Sequence, residues 1–504
     1  MSLRKNIVFS YCSQIYVTVI GIVMLPIYIG YMGEEAYGLV GFFASLQATF
    51  QILDFGLSPT IARETARSSS SNGVALRQLL HFFEKIFLTI ALFGACIVIL
   101  FAQQIADHWL KFSHLSAAEV TLSLRLMGVI VGLRFISGLY RGVVTGFENI
   151  VWLSGFTSFV TTIRFVLVLP LFLLFGAAPA TFFTYQVVVA LIEAGGMIWK
   201  TYALLPRKSG ALVNHPALAP TAGMFKFSAT VAFTSSVWVL VTQVDKLALS
   251  KTLPLSQYAH FTLAIVVASG ITIISGPLGS AVLPRMTRLA GEANEQGFLQ
   301  LYKSASQLAT IVCVSVAAVM TIFAHRVLVV WTGQAALADS AAGILSLYAI
   351  GNGILAVSAL PYYLQFAKGD LKLHLIGNFV FLTLLVPAII FSALTFGAIG
   401  TGIVWASVNA LYFLFWLPIV HKRLAPGQHL TWLINDVTKP ALVVVFLALG
   451  AKYLFPWNGS RLLDAVQLGL IGVICLLGGA LTVTTFRRSV MNSTVHRYLK
   501  KYEH

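Results

Sequence analysis

Charge is what this sequence has least of. Only 10% of its 504 residues are charged, and just 17 are acidic. A soluble domain carries about 25% charged residues, so a free-standing soluble enzyme or binding module is excluded. Cysteine is scarce too. Cys12, Cys96, Cys313 and Cys475 each sit inside an apolar run, and none pair at CxxC spacing. That leaves them as small core residues rather than a disulfide framework or a thiolate metal site. Long polar stretches are missing, which leaves no room for a fused nucleotide-binding or sensor domain. There is no Walker loop, HExxH or nucleophile elbow. The sequence therefore reads as a non-enzyme with no cofactor and no metal site. Alternating strands of about ten residues are absent, which excludes an outer-membrane barrel.

What remains is apolar: 58% of the residues are hydrophobic. The runs reach the roughly 20 residues needed to cross a bilayer. They predict an all-α polytopic membrane protein with about 14 transmembrane helices, near 7–29, 37–59, 84–106, 121–144, 151–175, 181–205, 227–250, 258–283, 303–324, 342–366, 373–395, 398–420, 438–455 and 464–486. With the N-terminus inside, 24 of the 33 Lys and Arg fall in cytoplasmic segments, 4 in outer ones and 5 within spans. This bias predicts both termini in the cytoplasm. It also accounts for the net charge of +16 without nucleic acid as a partner.

An internal echo divides the chain. Glu35-Ala-Tyr37 faces Ser256-Gln-Tyr258, and Phe175-Gly-Ala177 faces Phe396-Gly-Ala398, both at an offset of 221. Six spans per repeat give halves of one orientation, a known transporter plan with substrate between the halves. The expected organisation is two pseudo-symmetric six-helix lobes, 1–205 and 227–420, joined by a cytoplasmic loop, 206–226. Residues 421–504 add two further helices and a basic tail. Spans 13 and 14 would offer either a lipid groove, an anchor or a partner surface.

The few charges inside spans are the candidates for function. Arg125, Arg134 and Arg141 lie in or at the edge of span 4, and Arg164 lies in span 5. An Arg near the bilayer centre costs about 2.5–3.5 kcal/mol on insertion scales, so it persists where it meets water, a counter-charge or an anion. Arg134 and Arg141 are seven residues apart and share a helix face, whereas Arg125 points to nearly the opposite side. Arg125 and Arg141 are close enough to the membrane edges to snorkel instead. Guanidinium forks suit phosphate oxygens bidentately, so these arginines predict a cavity for an anionic, lipid-linked substrate. Glu193 is read either as their counter-ion or as a proton-coupling acid. Asp245 and Lys246 sit in span 7, where neighbouring residues need not pair. Asp54, near a cytoplasmic end, is read first as a helix cap or a salt-bridge partner. Gly270, Gly276, Gly279 and Pro277 mark a candidate hinge in span 8, though Gly and Pro are common in membrane helices.

Several stretches resemble a known family. They are Leu25-Pro-Ile-Tyr-Ile-Gly-Tyr-Met-Gly33, Glu34-Glu-Ala-Tyr-Gly38, Asp54-Phe-Gly-Leu-Ser58, Tyr140-Arg-Gly-Val-Val-Thr-Gly146 with Phe147-Glu-Asn149, and Gln243-Val-Asp-Lys-Leu247 with Gln257-Tyr258. In order and spacing they resemble the polysaccharide (O-antigen repeat-unit) flippase family, within the multidrug/oligosaccharidyl-lipid/polysaccharide exporter superfamily. The resemblance implies alternating access between two lobes in a bacterial inner membrane. It also implies an oligosaccharide repeat unit linked to undecaprenyl pyrophosphate as substrate, moved to the periplasmic leaflet. Membrane lipids, a polysaccharide polymerase and chain-length machinery are the partners it suggests. A cation-coupled multidrug exporter and a lipid II flippase of the same superfamily are the alternatives. The first of these wants an acidic cavity, against Arg134 and Arg164.

Overall fold

A computed structural model describes residues 3–68, 73–205, 222–455, 457 and 460–483. Most of the inter-lobe loop and the basic tail named above lie outside these residues. The described chain is helical, and it gathers into two compact units, Met1–Ala259 and His260–His504. A helix satisfies its own backbone groups within the segment, which is what an apolar, water-free medium demands.

The first unit contains α1 (Leu3–Met32), α2 (Glu34–Phe50), α3 (Leu57–Ser68), α4 (Gly73–Leu100), α5 (Ala102–His108) and α6 (Ala117–Gly146). It continues with α7 (Ile150–Phe165), α8 (Val168–Phe175), α9 (Pro179–Leu204), α10 (Ala222–Thr252) and the start of α11 (Leu255–Gly291). Its core lies where α3, α4, α6 and α9 meet, around Ile61, Leu80, Phe87, Leu139, Val143 and Met197. Small residues allow the closest approach. A Cβ at Gly142 would stand 2.7 Å from the Ser58 carbonyl oxygen, and one at Gly146 2.5 Å from that of Ala62. Any side chain at either position would push α3 off α6.

The second unit holds α12 (Glu295–Ile322), α13 (Ala324–Thr332), α14 (Ala335–Ala367) and α15 (Lys372–Leu411). Beyond them come α16 (Leu417–Leu424), α17 (His429–Thr431), α18 (Lys439–Leu454) and α19 (Arg461–Leu481). Two π-helical turns interrupt this end, Tyr412–Trp416 and Trp432–Thr438. The last two spans pack on α12 and α13 through Val444, Ala448, Ile471 and Cys475.

Twelve helical runs among the described residues are long and apolar enough to cross a membrane. One of them, Lys372–Leu424, has 53 residues. At 1.5 Å per residue that is about 80 Å, far beyond a hydrocarbon core of about 30 Å. It breaks at Gly397, where φ is 60° and ψ −145°, and is thus long enough for two crossings. With α10, a 31-residue helix outside the twelve, the described helices are consistent with fourteen passes. The echoed Phe-Gly-Ala motifs coincide with breaks, since Gly176 also has positive φ, at 83°. The candidate hinge in span 8 is continuous helix, because α11 runs unbroken through Pro277 and Pro284. Gly279 there is the surface on which the Tyr363 ring rests. All four cysteines are free thiols, Cys313 and Cys475 buried, Cys12 and Cys96 exposed.

Candidate functional site

The site begins with a proline. Pro170 has no N–H, so the helix of span 5 cannot continue through it undisturbed. The chain breaks between α7 and α8, and the local pairing shifts. Leu167 N–H donates to the Thr162 carbonyl and Leu169 N–H to that of Val166. The carbonyls of Ile163, Arg164 and Phe165 are left to side chains. Tyr185 Oη–H donates to Ile163 O at 2.7 Å, Gln186 Nε2–H to Arg164 O at 3.1 Å, and Tyr28 Oη–H to Phe165 O at 2.7 Å. Three neighbouring donors from α1 and α9 thus fix the break that carries Arg164.

The second component is the α6–α9 pair. Arg134 Nη2–H donates to Gln186 Oε1 at 3.0 Å, and Arg141 Nη2–H to Glu193 Oε1 at 3.3 Å. Both rungs join residues 52 apart in sequence. Seven residues return a helix to nearly the same face, so Arg134 and Arg141 on α6 meet Gln186 and Glu193 on α9 in register. Arg134 also donates from Nη1 to Gln47 Oε1 on α2, and its guanidinium lies 5.3 Å from the Phe43 ring centre.

Everything converges on Glu193, which is buried. Its Oε2 takes an N–H from Arg164 Nη2 at 2.6 Å and lies 4.0 Å from Arg134 Nε. Its Oε1 faces Arg141. Three guanidinium groups therefore share one carboxylate. Arg141 bonds Thr157 Oγ1 as well, at 3.4 Å, and stays 42% exposed. Nε of Arg134 and Nε of Arg164 are buried with no hydrogen-bond acceptor. Buried polar groups are paired as a rule, and exceptions ask for an explanation.

These side chains line a cavity of about 710 Å³, together with Gln47, Gln51, Asp54, Ser58, Ser137 and Trp238. Asp54 accepts from Ser58 Oγ–H at 2.6 Å and from Ser58 N–H at 3.2 Å, so it caps the first turn of α3 while it borders the cavity. Arg125 is exposed and is not among the lining residues. Asp245 and Lys246 are not among them either. They do pair, with Lys246 Nζ 3.4 Å from Asp245 Oδ1 and also donating to the Thr242 carbonyl. The sequence does not single out Gln47, Gln51 or Gln186, and it shows Ser58 only as the end of the Asp54–Ser58 stretch. Their only signal was an amide or hydroxyl inside an apolar run. No group of three or more metal-ligating side chains occurs among the described residues.

Residues 3–290, more than half of the chain, match the family described as "Polysaccharide biosynthesis protein". The chain belongs to that family. It is 20% identical over 415 residues to a Shigella flexneri protein named "Putative O-antigen transporter", covering 81% of the chain and 94% of that protein. Its fold matches the lipid II flippase MurJ in an inward closed conformation, with TM-score 0.72 and 14% identity, over 96% of this chain and 99% of that one. It also matches an inward-facing multidrug resistance MATE transporter of the MOP superfamily, with TM-score 0.64 and 12% identity, over 81% and 96%. The chain thus has the fold of MOP-superfamily transporters and is a multi-pass membrane protein.

Proposed function

We propose that this chain is a flippase for an oligosaccharide repeat unit linked to undecaprenyl pyrophosphate. It moves the unit from the cytoplasmic to the periplasmic leaflet of a bacterial inner membrane by alternating access, with both termini cytoplasmic, and supplies a surface-polysaccharide polymerase. One observation carries the reading. Three intramembrane arginines share one carboxylate at the edge of a cavity, and two of them keep a buried Nε–H without an acceptor. A pyrophosphate diester offers the acceptors that Glu193 alone does not, and guanidinium forks suit it. The family and the curated relative's name point the same way. A cavity this rich in cations does not suit a cationic drug.

A lipid II flippase is the second reading, favoured by the extent of the fold match to MurJ. Its substrate shares the prenyl pyrophosphate, so the arginines serve both. Complementation of a strain lacking this gene separates the two. Arg134→Ala and Arg164→Ala, present at normal membrane levels, are expected to abolish surface polymer while lipid-linked units accumulate inside. Lysis without loss of polymer would favour lipid II. Full activity in both single variants and the double would remove the arginines from the mechanism.

A further inference from the structure

The cavity has two walls of different chemistry. Arg134, Arg141, Arg164 and Glu193 form the charged one, on α6, α7 and α9. The other comes from α2, α3, the 3-10 turn Gln51–Asp54 between them, and α10. It presents Gln47, Gln51, Asp54, Ser58, Ser235 and Trp238, with no cation among these lining residues. Gln47 joins the two walls, its Oε1 accepting from Arg134.

Polar side chains recur along the second wall at steps of three or four residues, from Gln47 through Gln51 and Asp54 to Ser58. That is the repeat of one helix face. Inside apolar spans such a strip is costly unless its groups find hydrogen-bond partners. Contacts at two levels fix α10 against it. At one, a Cβ on Gly56 would stand 2.5 Å from the Ser228 carbonyl oxygen, and Thr60 Oγ1 lies 2.6 Å from Ser228 Oγ. At the other, a Cβ on Gly38 would stand 2.3 Å from the Leu255 carbonyl oxygen, and Ser45 Oγ lies 3.1 Å from Tyr258 Oη. α10 therefore runs antiparallel to α2. The Cβ on Gly56 would also stand 2.9 Å from Ala232 N. Trp238 is six residues past Ala232 and Gln51 five before Gly56, so the two stand at about the same level in the cavity.

Trp238 is out of place for a membrane tryptophan. Such residues gather at the two interfaces, whereas Trp238 stands halfway along the 31-residue α10. It is 56% exposed, so much of its ring is not spent on packing, and it lines the cavity. Ser235, one turn earlier, lines it too.

A sugar ring fits this combination. Its C–H groups make an apolar face that lies against the electron-rich face of an aromatic ring. Its hydroxyls each donate and accept, and an amide, a carboxylate and a hydroxyl are the partners that answer them. Guanidinium groups answer phosphate instead. A pyrophosphate joined to a sugar meets both walls at once.

We propose that Trp238, Gln51 and Asp54 form a sugar subsite, where the sugar next to the pyrophosphate lies on the indole ring and bonds the amide and the carboxylate. No covalent bond changes. The inference rests on the substrate reading above and adds to it the part of the cavity that reads the sugar. It assigns discrimination among repeat units to this wall, and to the arginines the grip common to all of them.

Equilibrium binding to the full chain in nanodiscs tests it, with two probes. One is undecaprenyl pyrophosphate without sugar. The other is the lipid-linked unit purified from cells lacking this gene. Wild type is expected to bind the sugar-bearing lipid about tenfold or more tightly than the bare one. Trp238→Ala removes that preference, weakening the sugar-bearing lipid by about tenfold, the scale of a tryptophan anchor, and leaving the bare lipid unchanged. Trp238→Tyr keeps an aromatic face and most of the preference. Gln51→Leu, at an exposed position, narrows it by about threefold, the scale of one hydrogen bond. Arg164→Ala weakens both lipids alike, which keeps the two readings apart. Equal binding of the two lipids by wild type overturns the subsite, as does an unchanged preference in Trp238→Ala or Gln51→Leu. So does a Trp238→Ala that weakens both lipids equally, or a Trp238→Tyr as poor as the alanine variant. A wild type that holds neither lipid overturns the substrate reading itself, and the subsite with it.

Discussion

Glu193 stands between three cations, and its removal shows what each of them needs. Breaking a buried ion pair by deleting one partner typically costs about 3–5 kcal/mol, because the remaining charge is stranded. Glu193→Gln should therefore lower thermal stability by several degrees while increasing the affinity of the purified protein for pyrophosphate, measured by calorimetry. Arg164→Lys is expected to keep the stability and lose transport, since a lysine offers a point charge and no fork. The arginines and Glu193 were legible in the sequence because charge inside an apolar run is costly enough to stand out. The glutamines were not, because a neutral amide in a span is cheap and common. Nor could the sequence say which acid meets which arginine. That follows from the register of α6 against α9, set by packing along both helices.

At the scale of one helix, Pro170 sets the geometry of span 5. Replacing it with Ala restores the missing N–H, so α7 and α8 can join and the three side-chain donors compete with a regular helix. Pro170→Ala should leave stability unchanged or raised yet reduce transport, because Arg164 is re-aimed. Tyr185→Phe removes one of the three donors and should cost about 1 kcal/mol, read as a shift in thermal midpoint. A comparable anchor holds the α5–α6 connection. Glu35 Oε1 accepts from Ser113 N–H at 2.8 Å, while Oε2 accepts from His114 N–H at 2.8 Å and Leu115 N–H at 3.1 Å. Glu35→Ala should raise hydrogen exchange across residues 112–116 without loosening α6. The proline was visible in the sequence, but not the donors that answer it, which come from residues more than a hundred positions away in Tyr28 and about twenty away in Tyr185 and Gln186.

At the scale of the whole chain, the apolar runs made the architecture readable, since a span must be long, apolar and helical whatever its neighbours. The π turns were unreadable, because nothing in the local composition of Tyr412–Trp416 or Trp432–Thr438 distinguishes them from ordinary helix. The long run Lys372–Leu424 carries the clearest test. If Gly397 separates two crossings, cysteines placed at Lys372 and Lys422 in a cysteine-free background should both label from the cytoplasmic face, and one at Thr395 from the periplasmic face. Labelling of positions 372 and 422 from opposite faces would reduce the run to a single crossing.

If the arginines hold the substrate as proposed, the shared carboxylate makes the cavity an ion exchanger rather than a trap. An incoming anion does not meet three bare guanidiniums; it must displace Glu193, and on leaving it is displaced in turn. Part of each arginine's attraction is spent in the empty state, so the bound state sits in a shallower well. A carrier that has to let go of its cargo on the far side gains turnover from such internal competition, at the expense of affinity.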